Sequence, residues 1–129
     1  MTVQGLLRIA ALLGATGVMA GAFGAHAIKG HVPAARLETW ATAAHYQQVH
    51  AVALLVLAVW SAVRGRVMAP RAAWALFAGT AVFSGSLYAL VLTDIRWLGA
   101  ITPVGGLLLI LGWFALATLE RKGSDGSVS

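Results

Sequence analysis

The chain has 129 residues, of which 60% are hydrophobic and only 10% charged. Soluble domains carry about 45–50% apolar and about 25% charged residues, so this composition excludes an ordinary soluble domain. The net charge of +5 would favour nucleic-acid binding in a soluble protein, but the basic residues here lie between apolar segments, so we expect no nucleic-acid partner. The chain has no cysteine, which excludes disulfides, zinc-thiolate sites and iron–sulfur clusters.

Four segments without formal charge are each long enough to cross a bilayer, which takes about 20 apolar residues. They are residues 9–28, 41–63, 72–92 and 97–119. Unpaired backbone groups are costly in hydrocarbon and the alternation typical of barrel strands is absent, so helices are predicted. The predicted fold is all-α, a polytopic membrane protein with four transmembrane helices in one compact bundle over residues 1–122. A short polar tail follows over residues 123–129.

The first span contains glycines at helical spacing. They are Gly14, Gly17, Gly21 and Gly24. Small residues at this spacing let two helix backbones approach closely, so we interpret them as packing positions inside the bundle, with dimerisation as the alternative. Arg8 before the apolar run and Ala25-His26-Ala27 after it also resemble a secretory signal. Because the run is longer than the usual signal core of about 7–15 residues, we expect it to stay in the protein.

Prolines mark where two of the helices begin. Pro33 can occupy the first turn of a helix without losing a hydrogen bond, so the second helix is predicted to begin near it. Thr102 and Pro103 have the pattern of an N-cap and a first helical residue, so the fourth helix begins either near Trp97 or at Pro103. In the second case, the non-helical residues 98–101 would need protection inside the protein.

The distribution of Lys and Arg predicts the orientation of the chain. With four spans, both termini and the middle loop share one side of the membrane, and the first and third loops share the other. The first side carries six basic residues and the second carries three, namely Arg8, Arg64, Arg66, Arg71, Arg121 and Lys122 against Lys29, Arg36 and Arg96. Because basic loops favour the cytoplasm, both termini are predicted to be cytoplasmic.

Polar side chains inside the spans are expensive in hydrocarbon, which makes them the candidate functional residues. On the predicted topology they share the outer half of the bilayer, where they would line an outward-facing polar pocket. The candidates are His26, Tyr46, His50, Ser84, Ser86, Tyr88 and Thr102. Two interpretations stay open: these groups bond one another and backbone carbonyls as interhelical glue, or they bind a small ligand such as a quinone or haem. Proton or ion passage is a further alternative.

Other chemistries have less support. His26 and His50 would lie about 3 and about 12 Å deep, which disfavours one haem iron between them. His45 lies about 140° around the helix from His50, so at most one of the two faces the bundle centre, and substitution of His45 is expected to do little. No span contains a carboxylate, and there is neither a GxSxG elbow nor a metal-ligand set. The chain is therefore predicted not to be an enzyme, and its cofactors are unknown.

Three stretches together resemble a known family. They are Gly21-Ala22-Phe23-Gly24-Ala25-His26; Trp40 with Thr42-Ala43, Tyr46 and His50-Ala51; and Phe83-Ser84-Gly85-Ser86-Leu87-Tyr88 with Leu98-Gly99-Ala100-Ile101-Thr102-Pro103-Val104-Gly105-Gly106. These stretches are similar to the small inner-membrane proteins of domain-of-unknown-function family 423, related to eukaryotic transmembrane protein 256. The resemblance implies a four-helix bacterial inner-membrane protein; it implies no established activity and offers no recognised catalytic or cofactor residues to carry over to this chain. His45 departs from the family pattern, so a role for it would be local to this chain.

The sequence therefore predicts an integral membrane protein that is a non-enzymatic structural or accessory component of the inner membrane. The alternative is a binding protein for a small lipophilic ligand or cofactor in the outward-facing polar pocket. The predicted partners are the lipid bilayer and either other membrane proteins or further copies of the chain.

Overall fold

The structure is a computed structural model that describes residues 1–119 and consists of four long helices. They are α1 (Val3–Phe23), α2 (Ala34–Arg64), α3 (Pro70–Thr93) and α4 (Thr102–Ala117). Counted with the short helical turns beside α1 and α4, each is long and apolar enough to cross a membrane. The predicted all-α fold of four transmembrane helices is confirmed. The tail predicted over residues 123–129 lies outside the described residues, as do Arg121 and Lys122.

The helices pack mainly against their neighbours in sequence, with α1 on α2, α2 on α3 and α3 on α4. As a result, α2 and α3 are the central pair, with 39% and 33% of their spans buried against 17% for each outer helix. Buried leucines from all four helices contribute to the main core, namely Leu6, Leu54, Leu57, Leu76 and Leu109. The outer helices leave large apolar side chains such as Met19 and Phe114 exposed, where lipid would cover them.

The predicted start of α2 is confirmed, because the helix begins at Ala34 with Pro33 as its N-cap residue. α4 begins at Thr102, and Ile101 occupies its N-cap, so the predicted capping role of Thr102 is wrong by one residue. The reason is that Ile101 already has helical backbone angles, which extend the helix one residue towards the N-terminus.

The segment before α4 is a 3-10 helix, Arg96–Ala100, so the fourth span begins with a helical turn near Trp97 and continues as an α-helix from Thr102. Its backbone groups bond locally, for example from the Ile101 N–H to the Leu98 carbonyl at 3.1 Å. The enclosure predicted for a non-helical segment does not apply, because these residues are helical; Leu98 and Gly99 are half-buried and Ala100 is exposed. A 3-10 turn pairs its own polar groups and does not need that enclosure.

The first outer helix, α1, continues into a π-helical turn, Gly24–Ile28. The Lys29 N–H closes this wider turn by donating to the Gly24 carbonyl at 3.1 Å. Gly24 lies directly against the indole of Trp40, and a β-carbon placed there would lie 2.5 Å from the Trp40 Cδ1 atom. The turn therefore brings the end of α1 onto the first turns of α2.

Hydrogen bonds tie the central pair together at both ends. In the connection between α2 and α3, the Ser61 hydroxyl accepts the Met68 N–H at 2.9 Å. At the opposite end, the Arg36 guanidinium donates to the carbonyl of Val91, near the end of α3. A cation at a helix C-terminus satisfies a free carbonyl and interacts favourably with the helix dipole. Both ends of the α2–α3 pair are thereby held in register.

The backbones of α3 and α4 approach each other closely at Gly105. A β-carbon placed on Gly105 would overlap the backbone of Phe83. The glycines of α1 have different neighbours, because Gly17 and Gly21 lie against the Gln48 side chain of α2. They make room for side chains, whereas Gly105 makes room for a second backbone.

Gly105→Ala is expected to lower the free energy of unfolding by about 1–3 kcal/mol, because the added methyl group meets backbone that cannot move aside. Gly106→Ala is the matched control, since its β-carbon would lie 3.8 Å from the Phe83 ring, an ordinary contact distance. Thermal unfolding of both variants in one detergent measures the difference. Equal melting temperatures would contradict the close approach of α3 and α4.

Candidate functional site

The central polar cluster joins α1, α2 and α3 through Gln47, a residue that the sequence analysis did not single out. The Gln47 amide nitrogen donates to the Leu13 carbonyl at 3.0 Å and to the Thr16 hydroxyl at 2.7 Å. Its carbonyl oxygen accepts the Tyr88 hydroxyl at 2.7 Å. Gln47 is only 7% exposed, and its amide uses both donor hydrogens and its acceptor oxygen inside the fold.

Two further side chains of α2 donate to carbonyls of α1. The Trp40 indole nitrogen donates to the Ala20 carbonyl at 2.7 Å, and the Gln48 amide donates to the Gly17 carbonyl at 2.9 Å. A carbonyl oxygen has two lone pairs, so it can accept such a bond besides the one from its own helix. With Gln47, three donors of α2 therefore reach three successive turns of α1.

Ser84 and Ser86 link α3 to different helices. The Ser84 hydroxyl donates to the Ala43 carbonyl of α2 at 2.8 Å. The Ser86 hydroxyl shares a hydrogen bond of 2.7 Å with Thr102, the first residue of α4. Both serines are buried, with 2% and 8% of their surface exposed. Each hydroxyl therefore bonds to a neighbouring helix, and that of Ser86 also bonds to the Phe83 carbonyl within α3.

His50 is buried between α2 and α4. Its Nε2 accepts the indole N–H of Trp113 at 3.0 Å, and its Nδ1 lies 2.7 Å from the Tyr46 carbonyl oxygen. An indole N–H only donates and a carbonyl only accepts, so the geometry requires a neutral imidazole with its proton on Nδ1. The Tyr46 ring stacks on the imidazole with centroids 6.0 Å apart. Nε2 of His50 thus serves the contact with α4, and Nδ1 is bonded within α2.

The structure brings the sequence-predicted candidates together in pairs, not as one group. Ser86 meets Thr102, Tyr46 stacks on His50, and Tyr88 reaches α2 through Gln47. His26 lies apart from them, exposed on the π-helical turn, and His45 is also exposed, on a different side of α2 from His50.

Sequence reasoning missed the two glutamines of α2 and Trp113. A signal was available for the glutamines, because Gln47 and Gln48 are adjacent amides inside an apolar span. Amides carry no formal charge and are not common catalytic groups, so they did not stand out among the polar residues of the spans. No comparable signal marks Trp113, since tryptophan is ordinary in membrane helices.

Two surface cavities lie between α1 and α2. The first, the upper recess, lies towards the start of α2 and has a volume of about 390 Å³; its lining includes Gly21, Gly24, Ala25, Trp40, His45 and Gln48. The second, the lower groove, lies further along α2 and has a volume of about 370 Å³; its lining includes Ala10, Gly14, Val18, Gln48, Ala51 and Leu55. Neither cavity is lined by any of the seven candidate residues. Within residues 1–119, no group of three or more His, Cys, Asp or Glu side chains is placed to hold a metal ion.

Comparison with known proteins identifies relatives along most of the chain. The profile of a family described as "Protein of unknown function (DUF423)" matches residues 20–106. A UPF0382 membrane protein of Staphylococcus aureus is 44% identical over 120 residues, which cover 90% of this chain and 98% of that protein. The UPF0382 membrane protein YwdK of Bacillus subtilis is 42% identical over 103 residues, which cover 79% and 84% of the two chains. No solved structure matches the chain.

Tyr88→Phe is expected to lower the free energy of unfolding by about 0.6–2 kcal/mol, because the Gln47 carbonyl loses its donor. Gln47→Leu is expected to cost more, since it leaves the hydroxyls of Tyr88 and Thr16 without this partner. In the double variant, Tyr88→Phe then adds little, because the bond it removes is already gone. Denaturant unfolding in one detergent measures the cycle.

Tyr46→Phe is the control for this cycle. The Tyr46 side chain is 39% exposed and stacks on His50, and it does not belong to the central polar cluster around Gln47. The substitution is expected to leave stability nearly unchanged. Strictly additive effects of Tyr88→Phe and Gln47→Leu would show that the two side chains are not bonded.

Proposed function

The chain belongs to the DUF423 family of proteins of unknown function, and on that premise we propose that it is a non-enzymatic structural or accessory component of a bacterial inner membrane. Its relatives are named as membrane proteins, and its four helices are long and apolar enough to span a bilayer. It is thus an integral membrane protein, and the proposal concerns what it does there.

The observation that carries the proposal is the pairing of polar groups inside the spans. Gln47, His50 and Ser84 are all buried, and each directs its hydrogen bonds at another helix or at its own backbone. Catalytic and ligand sites need polar groups that converge on a cavity, whereas bonds between helices use them to hold a scaffold. The arrangement favours a scaffold over a site built from these residues.

An accessory component acts through the surfaces that it offers to other proteins. Most of the surface of the outer helices α1 and α4 is not covered by the rest of the protein. The exposed side chains include Leu12 and Phe23 on α1 and Phe114 on α4. In a bilayer such faces contact either lipid or the helices of another protein. We infer that partner chains, or further copies of this chain, contact these two helices.

Native mass spectrometry after extraction in a mild detergent tests the proposal. The expected result is a complex of defined composition with other membrane-protein chains or further copies, without a stoichiometric quinone or haem. A monomer that carries one quinone or haem per chain would overturn the proposal in favour of the ligand-binding alternative. A monomer with neither a protein partner nor such a cofactor would also count against the accessory role.

We further propose that both termini are cytoplasmic, on the basis of the six-to-three distribution of basic residues. The cysteine-free chain allows single-cysteine labelling at His31, in the loop before α2, and at Gln4, near the start of α1; both are exposed. Gly30 and Gly65 are less suitable, because their positive φ angles strain any other residue.

In spheroplasts, a membrane-impermeant maleimide is expected to label His31→Cys at once and Gln4→Cys only after the membrane is permeabilised. The two variants control for each other, because they differ only in the side of the membrane on which the thiol lies. Immediate labelling of Gln4→Cys with protection of His31→Cys would reverse the orientation.

A further inference from the structure

The upper recess between α1 and α2 contains two polar side chains in an otherwise apolar lining. Gly21 and Gly24 line the recess on the α1 side, and Trp40 supplies an apolar wall on the α2 side. His45 and Gln48, one turn apart on α2, complete the lining. A volume of about 390 Å³, mostly apolar with a few polar groups, is typical of a small-molecule site.

Both polar side chains have hydrogen-bonding capacity to spare. Gln48 donates one amide hydrogen to the Gly17 carbonyl, and its other donor and its acceptor have no partner in the part of the chain that the structure describes. The exposed imidazole of His45 likewise has no hydrogen-bond partner among residues 1–119. Their counterparts Gln47 and His50, on the same helix, are fully paired. Of these four side chains, the two with unpaired groups are the two that line the recess.

The recess lies at the boundary between lipid headgroups and hydrocarbon. Arg64 ends α2 and places one membrane interface at that end of the helix. A hydrocarbon core of about 30 Å corresponds to about 20 residues of helix, which counts back from Arg64 to the level of His45. His45 is thus at the depth where a lipid carries its polar head.

The lower groove continues the recess into the hydrocarbon. The two cavities share Gln48, and the lower one is otherwise lined by small and aliphatic residues such as Ala10, Gly14, Val18 and Leu55. Leu55 lies seven residues, or about 10 Å, deeper than Gln48. Along the same pair of helices, a polar recess at headgroup depth therefore leads into an apolar groove at acyl-chain depth.

We propose that the α1–α2 surface binds one phospholipid, with its phosphate in the upper recess and an acyl chain along the lower groove. The phosphate accepts hydrogen bonds from the His45 imidazole and from the free amide hydrogen of Gln48. A phosphate oxygen is a strong acceptor, and the bilayer supplies it at this depth without any soluble carrier. The site gives a role to His45, which the sequence analysis left without one, and it does not depend on the accessory role.

Native mass spectrometry of the full-length protein, exchanged into detergent containing either phosphatidylglycerol or diacylglycerol, tests the site. One phosphatidylglycerol per chain is expected to survive detergent exchange, whereas diacylglycerol, which lacks the phosphate, is expected to be lost. Ala25→Leu fills the recess and is expected to abolish retention. Ala22→Leu is the matched control, because Ala22 is exposed near the same end of α1 but outside the recess.

A second pair of variants tests the phosphate contact itself. His45→Leu is expected to weaken phosphatidylglycerol binding about tenfold, as the loss of a hydrogen bond to a charged group does. His26→Leu, at an exposed histidine outside the recess, is expected to leave binding unchanged. Melting temperatures close to that of the unsubstituted protein would establish that the variants are folded.

Three results would overturn the proposal. One is equal retention of phosphatidylglycerol by Ala25→Leu and Ala22→Leu. Another is equal retention of diacylglycerol and phosphatidylglycerol by the unsubstituted protein. The third is a lipid-free dimer that Ala25→Leu dissociates, which would identify a second copy of the chain as the occupant.

Discussion

Side-chain donors on α2 and backbone acceptors on α1 form the contact on which the arrangement of the helices depends. Lipid tails solvate an apolar helix as well as another helix does, so burial alone gives α1 little reason to stay on α2. Trp40, Gln47 and Gln48 donate to acceptors one turn apart on α1, which fixes both the register and the rotation of the pair. Gln47 also accepts from Tyr88, and this bond brings α3 to the same point.

The other outer helix is held by a different kind of contact. α4 packs on α3 where Gly105 meets the backbone of Phe83, so shape complementarity and dispersion carry this half of the protein. Its polar contacts with the central pair are the Ser86–Thr102 bond and the His50–Trp113 bond. The two contacts therefore differ in what weakens them. The α1–α2 contact is weakened by the loss of a hydrogen-bond donor, and the α3–α4 contact is weakened by an added methyl group.

The number of spans and the start of α2 were predictable from the sequence, because bilayer thickness sets helix length and Pro33 is tolerated at the start of a helix but not inside one. The partners of the polar residues were not. Gln47 bonds the carbonyl of Leu13, and a backbone acceptor has no sequence signature. Glycine spacing likewise shows where a helix surface lacks side chains but not what packs against it, so the contact between Gly105 and the Phe83 backbone could not be predicted.

Membrane proteins are synthesised from the N-terminus, so α1 reaches the bilayer before α2. The backbone carbonyls of α1 are already bonded within the helix, so α1 is stable in lipid before α2 arrives. The helix that arrives second brings Gln47 and Gln48, whose amides are expensive in lipid until they find an acceptor. The order of the chain therefore presents both glutamines with acceptors on α1 as they enter the bilayer.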